Sequence, residues 1–270
     1  TPIPRTLALT LHGDLDVSQL DELPPGRTPI NTQLISPKDK KYAYDLIRSE
    51  INKGHQIYVV LPLIEESEKL ELSAAIDVHH QLSTEIFSDF TVELLHGKMK
   101  SLEKQEVIKN FLNKKSDILV STTVIEVGVD VPNASVMLIE DSDRFGLAQL
   151  HQLRGRVGRG ASKSYCLLSH QNKNKLSRQR LEVLVNSNDG FEISEIDLRF
   201  RGPGQVLGTK QSGLPDFALA SLADDADVLE LARNEARNIL DSDPMLTNNS
   251  KLRLLIKEQW EKLKIGNKLN

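Results

Sequence analysis

The chain has 270 residues, of which 39% are hydrophobic and 27% charged, with a formal net charge of −4 at pH 7. That composition belongs to a folded globular protein, long enough for one large domain or two small ones. With no apolar run long enough to span a bilayer and no export signal at the start, a cytoplasmic protein is expected; the single cysteine, Cys166 in the apolar run 164–169, excludes a disulfide framework and a cysteine-rich metal site and predicts a buried structural thiol.

The first residues, TPIPRTLALTL, start without an initiator methionine, so an excised fragment is expected. After a proline-bearing connector at 20–29, Thr28–Ile35 reads as an edge-type strand and Asp39–Lys53 as an amphipathic helix with Gly54 just past its end. From there strand and helix alternate. Strands are expected at Ile57–Leu63, Thr91–Leu95, Asp117–Ser121, Ser135–Ile139 and Tyr165–Ser169, and helices at Leu72–Phe87, Ser101–Asn113 and Leu147–Leu153. Short, continuously apolar strands separated by helices specify a parallel α/β sheet with right-handed crossovers. Ligands of such sheets bind in the loops beyond the carboxyl ends of the strands.

Those loops hold the polar residues of interest. His96-Gly97 follow one strand, Thr122-Thr123 another, and Glu140, Asp141 and Asp143 a third. In the loop 122–132, TTVIEVGVDVP, the hydroxyls and Gly128 offer donors to a phosphodiester, and Asp130 offers an acceptor to a ribose hydroxyl or a water. Val124, Ile125, Val127 and Val129 are expected in the core. A satisfied loop histidine is the expected state of His96, with no second metal ligand at helical spacing. The three carboxylates read most economically as solvated or helix-capping groups.

The stretch 145–160, FGLAQLHQLRGRVGRG, sets Gln152, Arg154, Arg156 and Arg159 among Gly155, Gly158 and Gly160. Glycines between arginines let backbone approach an anion while guanidinium groups grip it. Helix C-terminal charges that complement the macrodipole account for the same residue types, and both readings stand at this point. From Leu150 to Leu181 there are Arg154, Arg156, Arg159, Lys163, Lys173, Lys175, Arg178 and Arg180 and no acidic residue. A basic face on an acidic protein is therefore expected, although the overall charge argues against a simple nucleic-acid binder.

Beyond residue 170 the alternation stops. A helix is expected at Leu176–Val185, a turn at Asn186–Gly190, and then a charged helix running into a glycine-rich stretch, with Arg199, Arg201, Lys210 and Gln211 as candidate contacts. Helices at Asp216–Leu222, Ala226–Leu240 and Lys251–Leu263 complete the chain. The stripe Leu229, Ala232, Ala236, Ile239 and Leu240 is expected to pack back onto the α/β unit.

Three stretches in this order, Thr1-Pro2, Ser121–Val131 and Gln152–Arg159, resemble the third, fifth and sixth motifs of superfamily 2 helicases. The QxxGRxGR pattern follows a VGVD loop, and the strand ends YVVLPL and ELLHG resemble the remaining motifs of the second motor domain. Within the superfamily, TPIPRT and the stretch DLRFRGPGQVLGTKQSG resemble the RecG family of replication-fork remodelling translocases. The latter stretch is similar to a helical-hairpin translocation motif shared with the transcription-repair coupling factor.

The resemblance implies a RecA-like parallel sheet flanked by helices at 28–170, preceded at 1–27 by a connector from a missing first motor domain. At 171–270 it implies the translocation hairpin and C-terminal helices packed on the sheet domain. Arg156 and Arg159 would act as arginine fingers on the γ-phosphate of ATP held by the neighbouring domain, with Gln152 in support. Glu126, Gly128 and Asp130 would couple nucleotide state to DNA contacts at Thr122, Thr123, His96 and Gly97. Arg199, Arg201, Gly204 and Gln211 would belong to the translocation motif.

No GxxxxGK[ST] loop or DExH box occurs in the chain. ATP and Mg²⁺ are thus expected mainly on the missing domain, with no cofactor or metal bound tightly here and no ATPase activity from the fragment alone. The implied partners are branched or duplex DNA and the first motor and wedge domains of the same polypeptide, with no membrane. A monomer associated with the bacterial nucleoid is implied, and an organellar location stays open. The competing readings are another superfamily 2 motor, such as the transcription-repair coupling factor or an RNA helicase, a catalytically inert nucleic-acid-binding module, and a small-molecule α/β enzyme built on the strand-end carboxylates.

Overall fold

Alternate residues of the apolar run Gln56–Leu61 (β2) point to opposite sides. Ile57, Val59 and Leu61 enter one core and Tyr58 and Val60 another. A strand buried on both faces requires parallel neighbours covered by helices on each side. The computed structural model, which describes residues 29–62, 68–122, 131–160, 162–171, 174–201 and 226–266, has that arrangement. Its six-stranded sheet has the order β1-β6-β5-β2-β4-β3, with every pair parallel. The other strands are β1 (Asn31–Ile35), β3 (Val92–Leu95), β4 (Ile118–Thr122), β5 (Ala134–Ile139) and β6 (Tyr165–Ser169).

The helices are α1 (Lys40–Asn52), α2 (Glu68–Gln81, continued by a π-helical turn at Leu82–Ile86), α3 (Ser101–Leu112), α4 (Leu147–Arg154), α5 (Lys175–Asn186), α6 (Gly190–Arg201), α7 (Ala226–Ser242) and α8 (Ser250–Gly266). Helix α1 buries Ala43, Ile47 and Ile51, four residues apart, in the core that also holds Ala75, Leu82 and Phe87. It ends where Gly54 takes a φ of +84°, a conformation open to glycine at little cost. On the opposite face Phe111, Leu147, Leu150, Leu153, Leu181 and Leu184 pack around Tyr58, Met137 and Leu168. Each such aliphatic side chain contributes about 1.5–3 kcal/mol by leaving water. β1 lies at the edge of the sheet, as its sequence predicts.

Register aligns the strand ends. Ile35 pairs with Ser169, Ile139 with Leu168, Leu61 with Thr122, and Leu95 with Ser121, so the loops that follow leave one edge of the sheet. One expectation changes here. Thr122, expected in a loop, is the last paired residue of β4 and only 2% exposed, because its strand runs between β2 and β3.

The chain divides into two compact units, the first including Asp21–Ile193 and the second Ser194–Asn270. Leu181 and Leu184 of α5 and Ile193 of α6 are buried in the core of the first unit. In the second unit Asp243 accepts hydrogen bonds from the Thr247 amide (2.8 Å) and the Asn248 amide (2.7 Å), closing the turn from α7 to α8. Among the described side chains of the expected stripe, Ala232, Ala236 and Leu240 are exposed and Ile239 is half-buried. Two of its members are alanines, whose methyl groups gain little from burial. The predicted helix 216–222 lies outside the described residues. No helix among the described residues is long and apolar enough to cross a membrane.

Candidate functional site

Helix α4 is short and fixed by its inner face. Leu147, Leu150 and Leu153 are buried, and Arg154, seven residues after Leu147, continues the same stripe into the interior. Gln152 is half-buried beside it. The helix ends at Gly155 and the backbone tightens: the amide of Arg156 donates to the Leu153 carbonyl (2.9 Å) and that of Val157 to Arg154 (3.3 Å). Val157 then enters the core, Gly158 reverses the chain at a φ of +75°, and Arg159 folds back so that its Nε donates to the Gly155 carbonyl at 3.1 Å. A cation there satisfies a helix C-terminal carbonyl and complements the macrodipole.

The three arginines therefore separate. Arg154 is 2% exposed, whereas Arg156 and Arg159 are half-buried on either side of the Val157 plug. Arg154 Nη1 donates to the carbonyls of Leu184 (2.7 Å) and Ser187 (2.8 Å), with Thr32 Oγ1 at 3.4 Å, and Nη2 lies 3.0 Å from His151 Nδ1. Burial and the adjacent Arg154 guanidinium push the His151 pKa down to about 4, so its neutral ring accepts from Nη2. Burial lowers the pKa of Arg154 itself, which stays charged. Burial likewise raises the Cys166 thiol to about 12, that of an unreactive core group.

The glycines were expected to make room for an anion; Gly160 makes room for backbone. A Cβ on Gly160 would stand 2.6 Å from the Pro132 carbonyl oxygen, closer than real side chains come. The arginine turn and the end of the 122–132 loop are thus in direct contact. Glu126, Gly128, Asp130 and Thr123, the candidate coupling and DNA-contact residues of that loop, lie outside the described residues, as do Gly204 and Gln211. At the margin of the loop the buried Thr122 Oγ1 has no hydrogen-bond partner among the described residues.

His96 is half-buried after β3, its amide donating to Met99 Sδ at 3.4 Å. Gly97 is exposed, with open space where a Cβ would stand, and its carbonyl accepts from Lys104 Nζ at 2.6 Å. Arg199 is exposed on α6, and Arg201 is that helix's last residue.

Of the strand-end carboxylates, Glu140 and Asp141 are tied into the scaffold, whereas Asp143 Oδ1 is buried with no partner among the described residues. Glu140 pairs with Lys40 Nζ at 3.2 Å, and Asp141, at a φ of +44°, accepts from Gln171 Nε2 at 3.1 Å. Asp141, expected as a solvated or helix-capping group, stands at the N-cap of the short helix 142–144 but makes no capping bond. Among the described residues no group of three or more His, Cys, Asp or Glu side chains is placed to hold a metal ion.

Two features escape a motif-based reading: the burial of Arg154, signalled only by its place on the α4 stripe, and the contact of Gly160 with Pro132, for which the sequence carries no signal.

Residues 39–161 match the helicase conserved C-terminal domain, and residues 187–269 match the C-terminal part of domain 3 of the ATP-dependent DNA helicase RecG. The chain is 58% identical to the ATP-dependent DNA helicase RecG of Synechocystis sp. across 97% of its own length and 32% of that protein. It is 50% identical to that of Aquifex aeolicus, over 98% of this chain and 34% of that one. A solved structure of RecG bound to a three-way DNA junction shares 45% identity at a TM-score of 0.67, covering 85% of this chain and 30% of the other. The chain thus spans about a third of the length of these curated relatives.

Proposed function

Since the chain belongs to the RecG family and corresponds to the C-terminal part of its members, we propose that it is the second motor domain of an ATP-dependent DNA helicase. The full-length enzyme would remodel stalled replication forks and branched recombination intermediates by translocating on duplex DNA. The observation that carries this reading is the turn after α4, which holds Arg156 and Arg159 half-buried on either side of the buried Val157 while Arg154 lies inside.

In this reading ATP and its Mg²⁺ are held by a first motor domain beyond these residues. This chain contributes cationic groups. Arg156 and Arg159 reach the γ-phosphate as charge develops on it, and Gln152 orients them. Such groups accelerate the reaction because their positions are fixed before the reaction begins, so little reorganisation is needed. The contact of Gly160 with Pro132 gives the 122–132 loop, with Glu126, Gly128 and Asp130, a short mechanical path to the arginines. DNA backbone contacts are assigned to Thr123, His96 and Gly97. Thr122 joins them only if its strand end opens, since its hydroxyl is buried in the closed strand. Arg199, Arg201, Gly204 and Gln211 belong to the translocation motif, and the enzyme acts as a nucleoid-associated monomer.

The test is DNA-stimulated ATP hydrolysis by the full-length enzyme. Arg159→Ala and Arg156→Ala should each lower turnover by about 10³-fold or more while leaving folding intact. Normal turnover in full-length Arg159→Ala would overturn the assignment. The isolated chain should hydrolyse no ATP.

A further inference from the structure

Among the described residues, Arg154 is buried without a counter-ion. Only desolvation and the nearby Cys166 bear on its charge, and among the described residues no carboxylate pairs with it. Burying such a charge is costly unless hydrogen bonds compensate. A leucine would continue the stripe of Leu147 and Leu150 without that cost. What the guanidinium provides instead is a rigid fork that joins three elements: α4, through His151; β1, through Thr32; and the end of α5, through Leu184 and Ser187.

Ser187 opens the turn from α5 to α6, and that turn is clamped on every side. The Ser187 carbonyl accepts from Arg154. Its hydroxyl donates to Glu192 in the first turn of α6 and accepts from the Asp189 amide at 3.1 Å. Asp189 caps α6, its carboxylate accepting from the Phe191 amide at 2.8 Å and its carbonyl from the Ile193 amide at 3.1 Å. The start of α6 is therefore fixed to the guanidinium that ends α4. On one side of Arg154 the chain proceeds within two and five residues to Arg156 and Arg159; on the other, α6 continues unbroken to Arg199 and Arg201.

We propose that Arg154 is a positioning residue that couples the arginine turn to α6, so that a change of state at Arg156 and Arg159 is passed through Ser187 to the segment that moves on DNA. This rests on the functional reading above. Loss of the fork should loosen transmission more than hydrolysis. A lysine keeps the charge and can satisfy one carbonyl at a time, whereas the fork holds Leu184 and Ser187 together.

The experiment compares full-length wild type, Arg154→Lys and Ser187→Ala on a three-way DNA junction, measuring ATP turnover and base pairs unwound per ATP, with thermal unfolding as a control. Arg154→Lys should keep turnover within about threefold of wild type while base pairs unwound per ATP fall about tenfold. Ser187→Ala removes the clamps to Glu192 and Asp189 without disturbing a buried charge, and should show the same uncoupling at smaller size. If Arg154→Lys fails to fold, Ser187→Ala decides: unchanged base pairs per ATP overturn the proposal. The proposal is also overturned if turnover and unwinding fall in proportion in Arg154→Lys, because the fork then only supports the phosphate-facing arginines. A wild-type enzyme without DNA-stimulated turnover would instead refute the functional reading, a distinguishable result.

Discussion

The two ends of the sheet are built on opposite principles. At the amino ends, Glu50 is 3% exposed yet fully engaged, accepting from Lys53 Nζ (2.7 Å), His55 Nδ1 (2.7 Å) and Ser135 Oγ (3.0 Å). Burial pushes the Glu50 pKa up, but those donors outweigh it and hold the carboxyl below its ordinary value. Beside it Gln56 Nε2 donates to the carbonyls of Phe111 (2.6 Å) and Ser116 (2.8 Å). At the carboxyl ends, Thr122 Oγ1 and Asp143 Oδ1 are buried with no partner among the described residues, and Asp141 holds a left-handed backbone. One end spends its polar groups on stability, and the other leaves some unsatisfied where the candidate site lies. Unsatisfied or strained groups persist where another state uses them.

The sharpest test of that contrast is Glu50→Ala, which strands the Ser135 hydroxyl and His55. It should lower unfolding free energy by about 3 kcal/mol in chemical denaturation, while ATP turnover per folded full-length molecule stays at the wild-type level. A large loss of turnover would remove the division between the two ends. Gly160→Ala should affect both properties, since its methyl group meets the Pro132 carbonyl. We expect a stability cost of about 1–3 kcal/mol and turnover lowered about tenfold, equivalent to about 1.4 kcal/mol in the barrier, with the KM for ATP little changed. A loss of stability alone would mean that the contact is only packing.

Thr122→Val should be milder. Replacing an unpartnered buried hydroxyl with a methyl group is expected to leave stability unchanged or raise it by up to about 1 kcal/mol in the same denaturation experiment. A loss above that range would show that the hydroxyl is already paired.

A further test concerns pH. The folded-state pKa of His151, about 4, lies below the ordinary value of 6.5, so the unfolded chain takes up a proton that the folded chain refuses. Its contribution to stability is complete above pH 6.5 and is lost as pH falls towards and through 4. In His151→Gln, thermal stability should decline less steeply across that window than in wild type. Parallel curves would contradict the depressed pKa.

Much of the scaffold was legible because its signals are local. Continuous apolar runs announced β2, β5 and β6, the spacing of Ala43, Ile47 and Ile51 announced α1, and Gly54 marked its end. For the C-terminal stripe, periodicity reports which residues share a face but not what covers it. For the site, the motif placed Gln152, Arg156 and Arg159 on one short segment. It did not separate Arg154 from them, since all three arginines carry the same charge.

By itself the sequence determined the alternation of strands and helices, the parallel sheet and the clustering of cations after α4, because each depends on the order of neighbouring residues along the chain. Only the tertiary structure decided which arginine is buried, that Thr122 closes a strand rather than opening a loop, and that Gly160 meets Pro132. Those outcomes depend on contacts between residues distant in sequence, such as Arg154 with Thr32 and Ser187, whose distances are set by packing of the whole sheet and its helices.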